Sequence, residues 1–250
     1  MSNRTTDSQS VRSVTRALTL LSAVTRGPKT LTKLAQYADV SLSTASRLLG
    51  TLRQAGYVTQ EEDGTYVSGP EITALIYSAD QWSGARSLAT RATTALREVL
   101  DETIAFFVRA GNERVCIESA ESSRLVRRVC QPGERGPIHV GAAGKALLAF
   151  DPEGLARFEL PGGATTFETP GGERSLDDLR TECVAIRKRG HSYSARETTD
   201  ESWSVAAPVF RGGVLIGALT IVVPLTRSDD IYVVEAANAL VAVAEKISGP

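Results

Sequence analysis

Apolar residues recur at helical spacing in three short stretches near the start of the chain. In each stretch they follow the i, i+3, i+4, i+7 pattern of one helix face, at Val14, Ala17, Leu18 and Leu21, then Leu31, Leu34, Ala35 and Ala38, and then Ala45, Leu48, Leu49 and Leu52. Thr30 and Ser41 are the predicted N-caps of the second and third helices. Two short strands, at 57–60 and 65–68, follow them and are joined by Asp63-Gly64, a hairpin signal. Three helices and a hairpin in this order predict a winged helix-turn-helix.

Beyond residue 70 the pattern becomes helical and then alternates with period two. We predict a linker helix over 71–88, broken or bent near Ser83-Gly84, and a further helix over 88–100. The alternating stretches predict strands at 103–110, 113–120, 125–130, 192–196, 204–211 and 214–223, with helices at 144–150, 175–190 and 229–247. The predicted fold class is therefore α+β, with three parts: a winged helix-turn-helix over 11–70, the linker helix over 71–88, and an antiparallel sheet with helices over 89–250.

Composition and charge exclude several classes of protein. The net charge is −1, but residues 1–75 hold eight Lys and Arg against six Asp and Glu, a weak basic excess in the predicted winged helix. No apolar run approaches the roughly 20 residues of a membrane-spanning helix, and the polar first ten residues lack the apolar core of a signal peptide. The three cysteines lie far apart, as expected of reduced thiols. We therefore expect a cytoplasmic protein with no membrane partner.

The third helix has the features of a DNA recognition helix. With its apolar stripe turned inward, its outer face presents Ser43, Thr44, Ser46, Arg47 and Thr51. Small hydroxylated side chains let a helix approach the floor of the major groove, and an arginine can reach a guanine edge or a phosphate. The predicted partner is therefore double-stranded operator DNA.

Other groups around this helix are candidate DNA contacts. Ser41, at its N-terminus, is a candidate for accepting a backbone phosphate, and Arg12 and Arg16 on the first helix are candidate backbone anchors. The wing tip at residues 61–63 is acidic and would be repelled by phosphates. This leaves open an alternative in which the winged helix serves only assembly of a small-molecule-binding or catalytic protein.

The sequence contains no specific motif for a phosphate-binding, catalytic or metal site. The segment 141–145 has only two residues between its glycines, and Ala146 replaces the Ser or Thr of a phosphate loop. No GxSxG motif occurs, and a zinc site built from Cys116, Cys130 and a histidine would lack the usual ligand spacing. We predict no catalytic residue, no cofactor and no metal. One of Arg127 and Arg128 should face inward, where it could pair with an anionic ligand or with a structural acid.

Several segments resemble the IclR family of transcription regulators, in order and in spacing. They are SVTRALTLL (13–21), LTKLAQYADVSLSTASRLLGTLRQAGYV (31–58), GTYVSGPEITAL (64–75), IHVGAAGKALLAF (138–150), LRTECVAIRKRGHSYSARET (179–198) and VAAPVF (205–210). The resemblance covers nearly all of residues 11–248. It implies a homodimer or a tetramer built as a dimer of dimers, and a GAF-like C-terminal domain. That domain would bind a small effector, an organic acid or an aromatic compound.

The resemblance also implies the positions that line the effector pocket. Ala142 and Ala143 precede the helix of the pocket, while Thr220 and Val222 lie on the strand behind it. Ser194 and Ser204 stand where relatives place an acidic residue and a cysteine. These serines depart from the commoner pattern, as does the adjacent Trp203, which we also expect to contact the ligand because an exposed tryptophan is costly. The sequence thus predicts a ligand-responsive regulator of a metabolic operon, with repression as the expected direction. In this hypothesis, the linker helix transmits effector binding to the recognition helices.

Overall fold

The computed structural model of this chain describes residues 11–78 and 80–248. The chain divides between Gln81 and Trp82 into two compact units, which are treated separately below. The division falls inside the segment that the sequence assigned to the linker.

The N-terminal unit is a winged helix-turn-helix. Its elements are α1 (Arg12–Val24), α2 (Leu31–Tyr37), α3 (Leu42–Gln54), β1 (Val58–Gln60), β2 (Tyr66–Ser68) and α4 (Pro70–Ser78). Strands β1 and β2 form an antiparallel hairpin, and Lys29 bridges to Tyr66 beside it. The side chain of Thr30 caps α2, as predicted, by accepting a hydrogen bond from the N–H of Lys33.

The small core of this unit confirms two of the three predicted apolar stripes. Leu34 and Ala35 of α2 pack with Ala45 and Leu49 of α3. In α1, however, the buried face is formed by residues 20, 23 and 24, while Val14 and Leu18 are exposed. The difference arises because α1 contacts the unit mainly through its C-terminal half, so that helical spacing in its first turns does not correspond to burial.

The described residues of the segment predicted as a linker are helical. Helix α4 ends at Ser78, and helix α5 (Asp80–Leu100) continues without a break through Ser83 and Gly84. A break of the helix at Ser83-Gly84 is therefore wrong, and the bend there stays a prediction. A single glycine costs a helix only about 1 kcal/mol, which a long helix can tolerate.

The C-terminal unit is built around a six-stranded antiparallel sheet with the strand order β5-β4-β3-β10-β9-β8. The strands are β3 (Thr103–Ala110), β4 (Glu113–Ala120), β5 (Arg135–Pro137), β8 (Ser192–Ala195), β9 (Ser202–Arg211) and β10 (Val214–Pro224). A second antiparallel pair, β6 (Thr166–Thr169) and β7 (Gly172–Ser175), forms a separate hairpin. The helices are α5 to α9, with α6 (Gly141–Ala149), α7 (Pro152–Ala156), α8 (Leu176–Arg189) and α9 (Asp230–Ser248) following α5.

Each face of the sheet has its own core. One core joins the sheet to α5 and α9 and includes Phe106 and Trp203. The other joins it to α6 and α8 and includes Phe107 and Cys116. The two adjacent phenylalanines thus point to opposite faces, as the period of a strand requires. This architecture confirms the predicted α+β class with a GAF-like C-terminal domain.

The strand predicted at 125–130 is absent. Residues 125–130 form an irregular loop, and the edge of β4 where such a strand would pair is occupied by β5. Leu125 is 95% exposed, so the alternation in this stretch does not reflect a buried face. The loop is instead held by polar contacts: Arg124 donates to the buried carboxylate of Glu102, and the hydroxyl of Thr103 donates to the carbonyl of Arg128.

Candidate nucleic-acid interface and ligand cavity

Helix α3 presents a polar outer face on a well-capped helix. The hydroxyl of Ser41 accepts a hydrogen bond from the N–H of Thr44 at 3.3 Å and also contacts the hydroxyls of Ser43 and Thr44. Ser43, Ser46 and Arg47 are exposed, as is Thr51, whose hydroxyl donates to the carbonyl of Arg47. The predicted residues therefore share one face, except that Thr44 is half-buried.

The basic side chains around α3 differ in exposure and in whether they already form hydrogen bonds within the protein. Arg12 and Arg16 are exposed one turn apart on α1. The ammonium group of Lys29 is already used, since it donates to the carbonyls of residues 23 and 27 at the end of α1. Arg53 donates to Gln60 of the wing. Arg47 is thus an exposed cation at the middle of the α3 outer face, with no side-chain partner within the described part of the chain.

The C-terminal unit contains a cavity of about 410 Å³ between the N-terminus of α6, the sheet, the β6–β7 hairpin and the loop before β9. This volume lies within the roughly 300–1,000 Å³ of small-molecule sites. Phe107, Val140 and Val222 supply apolar walls, and the charged residues of the lining are Arg114, Arg128, Glu134, Arg135, Glu168 and Glu197. A site of this kind suits a small molecule that has an apolar body and a few polar groups.

Two polar atoms in the cavity lining are buried and have no hydrogen-bond partner among the described residues. They are Nε of Arg128 and the hydroxyl of Thr220, a residue that is only 2% exposed. Buried polar groups are normally hydrogen-bonded, because each group left unpaired costs about 1–3 kcal/mol. A ligand that pairs with these atoms would remove that cost.

Arg114 closes one side of the cavity. Its guanidinium donates to the carbonyls of Pro137 and Val140, at 2.6 and 2.9 Å. Burial of the guanidinium holds the pKa of Arg114 below its ordinary value, although nearby Glu134 and Glu197 act in the opposite direction. The contacts of Arg114 to two carbonyls fix the β5–α6 connection that forms the cavity wall.

A buried ion cluster holds the elements around the cavity together. The ammonium of Lys145, which is 1% exposed, lies 2.6 Å from Glu197 and 2.8 Å from Glu182. Arg174 of the β6–β7 hairpin contacts the same two carboxylates, at 2.7 and 2.8 Å. The other oxygen of Glu197 accepts from the N–H of Gly141 at the start of α6. This cluster therefore connects α6, α8, the hairpin and the loop before β9.

The glycines of the 141–145 segment have a packing role. A Cβ at Gly144 would lie 2.0 Å from the carbonyl oxygen of Ile138, so only glycine permits this close approach. The N–H of Gly141 is already bound to Glu197, whereas helix geometry leaves the N–H groups of Ala142 and Ala143 without intrahelical acceptors. The segment can thus donate to an anion through residues 142 and 143, but it has no resemblance to a phosphate loop.

Five of the seven residues predicted to contact the effector line the cavity: Ala142, Ala143, Ser204, Thr220 and Val222. Ser194 does not line it: this residue pairs in register with Ser204 and is only 4% exposed. Trp203 requires a correction. It is 1% exposed in the core on the opposite face of the sheet, stacks with Tyr193 and donates its indole N–H to the carbonyl of Arg227.

Sequence reasoning missed Arg114 and Glu197 as cavity residues. Strand alternation could have found Arg114, since it shares a face of β4 with the buried Cys116. No local signal marks Glu197, whose partners lie 52 and 56 positions away in the sequence. Of the neighbouring arginines, Arg128 lines the cavity, while Arg127 pairs with Glu121 outside it.

The cysteines give no support to the zinc alternative. The described residues include no group of three or more His, Cys, Asp or Glu side chains placed to hold a metal ion. Burial raises the pKa of both Cys116 and Cys130 to about 12. Nearby negative charge adds to this, from Cys130 at Cys116 and from Glu134 at Cys130. These thiols therefore stay protonated and act as small apolar groups.

Family models match both units of the chain. The IclR helix-turn-helix domain matches residues 13–62, and the model described as bacterial transcriptional regulator IclR C-terminal matches residues 83–249. This chain belongs to the IclR family. It is a DNA-binding transcription regulator with an effector-binding C-terminal domain.

Individual relatives support this assignment over nearly the whole length of the chain. It is 30% identical to the HTH-type transcriptional regulator BhcR of Paracoccus denitrificans, over 97% of this chain and 88% of that protein. It is 29% identical to the transcriptional repressor IclR of Escherichia coli, over 95% of this chain and 89% of the repressor. Both relatives are transcription regulators.

Solved structures agree on the fold. A putative IclR transcriptional regulator from Silicibacter sp. superimposes with a TM-score of 0.82 at 25% identity, covering 94% of each chain. An IclR homologue from Microbacterium hydrocarbonoxydans, determined in complex with 4-hydroxybenzoate, has a TM-score of 0.70 at 20% identity. The match covers 95% of this chain and all of the homologue's chain.

Within the described residues, no helix is both long and apolar enough to cross a membrane.

Proposed function

We propose that this regulator binds operator DNA through the outer face of α3, and that a small organic effector in the cavity of the C-terminal unit controls its affinity for that DNA. The observation that carries the proposal is the presence, in one chain, of an exposed Arg47 on a capped recognition helix and of a ligand-sized cavity with unpaired polar atoms.

The assigned DNA contacts divide into two kinds. Arg47, with the small side chains of Ser43, Ser46 and Thr51 beside it, would read base edges in the major groove. Phosphate contacts would come from Arg12 and Arg16 on α1, and from Ser41 and Thr44 at the N-terminus of α3. The acidic tip of the wing would remain outside the groove.

The effector is proposed to be an organic acid or an aromatic compound that contacts Ala142, Ala143, Ser204, Thr220 and Val222. Ser194, which was also predicted to contact the effector, lies outside the cavity lining and is not among the proposed contacts. An effector can change DNA affinity only by as much as its affinity differs between the DNA-binding and non-binding states. By linkage, DNA must change effector affinity by the same factor.

Several further features belong to the same proposal. The chain acts in the cytoplasm as a homodimer or as a dimer of dimers, because two-fold operators are read by two recognition helices set one helical turn apart or a multiple of it. It acts as a regulator and not as an enzyme, and repression is the expected direction. The linker region, residues 71–88, is proposed to transmit effector binding to the DNA-binding domains.

A gel-shift titration against the intergenic DNA upstream of its own gene tests the DNA half of the proposal. The specific complex should resist non-specific competitor and should weaken at least about tenfold between 50 and 200 mM salt. Arg47→Ala should weaken specific binding roughly 5- to 150-fold, corresponding to a loss of about 1–3 kcal/mol of base contact.

Arg157→Ala is the matched control, because it removes an exposed arginine from the C-terminal unit. It should leave the gel shift unchanged. A competitor-resistant shift that is insensitive to Arg47→Ala would reject the assigned reading residue. The absence of any specific shift from a folded protein would favour the alternative in which the winged helix serves assembly only.

A further inference from the structure

The loop between β4 and β5 brings into the cavity a charged residue, Arg128, that is not among the predicted effector contacts. Arg128 lies in this loop, and its backbone carbonyl accepts a hydrogen bond from the hydroxyl of Thr103 at the start of β3. In the sheet register Thr103 pairs with Val222, which lies two residues from Thr220 on the same face of β10. The backbone at Arg128 is thus held beside the strands that carry Thr220 and Val222, and Arg128 and Thr220 both line the cavity.

Most other charges near this region already have partners. Arg135 donates to Glu113 at 2.9 Å, and Glu197 is held by Lys145, Arg174 and the N–H of Gly141. Arg114 is occupied by two backbone carbonyls. Arg128, in contrast, forms no ion pair and no side-chain hydrogen bond within residues 11–78 and 80–248, and its Nε is buried.

We propose that Arg128 is the specificity-determining residue of the cavity and that, together with the hydroxyl of Thr220, it requires a carboxylate on the effector. This inference rests on the proposed function and narrows its effector to small monocarboxylic acids with an apolar or aromatic body. A guanidinium binds a carboxylate through strong, charge-assisted hydrogen bonds that a neutral amide does not reproduce. Thr220 donates a further hydrogen bond, and Phe107, Val140 and Val222 cover the apolar part of the ligand.

The ligand-free protein should tolerate loss of these two groups. Arg128 has no intramolecular partner to lose, so Arg128→Gln should fold with an unchanged melting temperature. Thr220→Val should melt at the same temperature or higher, because it replaces an unpaired buried hydroxyl by a methyl group of the same shape. These variants therefore separate a binding role from a structural one.

The test uses pairs of probes that differ only in charge: benzoate with benzamide, phenylacetate with phenylacetamide, and 4-hydroxybenzoate with 4-hydroxybenzamide. Dissociation constants are measured by calorimetry on the full chain. At least one acid should bind, and at least about tenfold more tightly than its amide. Arg128→Gln should weaken that acid roughly 10- to 100-fold and leave the amide unchanged, and Thr220→Val should weaken it by roughly 3- to 10-fold.

Arg127→Gln is the matched control, because it removes the neighbouring arginine, which is exposed and pairs with Glu121. It should bind like the unmodified protein. The inference is overturned if an amide binds as tightly as its acid, if Arg128→Gln and Arg127→Gln weaken binding equally, or if none of the three acids binds.

Gel shifts in the presence of the same probes distinguish this inference from the proposed function. An amide that binds and changes operator affinity would reject the carboxylate requirement while leaving ligand control of DNA binding intact. An acid that binds in an Arg128-dependent manner without changing operator affinity would support the carboxylate requirement and reject that control.

Discussion

Removing the ammonium group of the buried ion cluster should strongly destabilise the C-terminal unit. Lys145→Met keeps most of the side-chain volume but deletes the charge that contacts Glu182 and Glu197 at 2.8 and 2.6 Å. Both carboxylates would then face a single cation, Arg174. Breaking a buried ion pair by removing one partner costs about 3–5 kcal/mol, since an uncompensated charge is left inside the protein.

We expect a value near the lower limit, about 3 kcal/mol, because Arg174 still binds both carboxylates. For a unit of this size that loss lowers Tm by roughly 6–12 °C. The assay is thermal unfolding followed by far-ultraviolet circular dichroism, together with urea titration to obtain the free energy of unfolding.

The control is Arg157→Met, which removes a cation from an ion pair at i, i+4 spacing whose side chains are 78% and 82% exposed. Pairs of this kind contribute about 0.3–0.5 kcal/mol. A loss below about 1 kcal/mol for Lys145→Met, or an equal loss in the two variants, would refute the argument that burial makes the cluster energetically important. The double variant Lys145→Met/Glu197→Gln should lose less than the sum of the single losses, since it removes one charge of each sign.

Three further predictions follow from single contacts. Gly144→Ala should cost about 1–3 kcal/mol in urea titration, because its Cβ would meet the carbonyl of Ile138, whereas Gly50→Ala, with open space around its Cβ and a helical backbone, should stabilise by roughly 0.5–1 kcal/mol. Ser175→Ala removes the capping-box hydroxyl of α8 and should cost about 1 kcal/mol by the same measurement, so an unchanged midpoint would contradict the cap assignment. Acid should destabilise the protein: burial would raise the pKa of Glu182, but Lys145 and Arg174 outweigh it and hold that pKa below its ordinary value of 4.5. The stabilisation by Glu182 is therefore fully present above about pH 4.5 and is lost as the pH falls through the folded-state pKa; a Glu182→Gln variant with the same acid midpoint would argue against this.

Local pattern determined most of the secondary structure of this protein. The capping box at Ser175 and the left-handed Gly190 delimit α8 as predicted, and the hairpin connections at 111–112 and 212–213 join the predicted strands. The sequence also predicted the inward-facing apolar stripe of α3, and this stripe leaves Arg47 on the outer face of the helix. These features depend on caps, glycine conformations and hydrophobic periodicity, all of which involve residues close together in the chain. Such local features can therefore be predicted from the sequence.

The ordered set of family motifs also established the class of protein and five residues of the cavity. Those five lie on α6, β9 and β10, where regular secondary structure makes the facing of each side chain predictable. Sequence reasoning therefore went furthest where a functional residue is part of a regular helix or strand.

Tertiary structure alone decided which polar groups meet in the cavity. Residues 125–130 alternate like a strand, yet β5 takes the edge position and the loop delivers Arg128 to the lining. Trp203 was expected at the ligand and is instead buried against α9, because the register of β9 turns it to the other face of the sheet. Glu197 meets Lys145 across 52 positions. Burial, pairing and unpaired donors arise from contacts between distant segments, and no local pattern encodes which segments will meet.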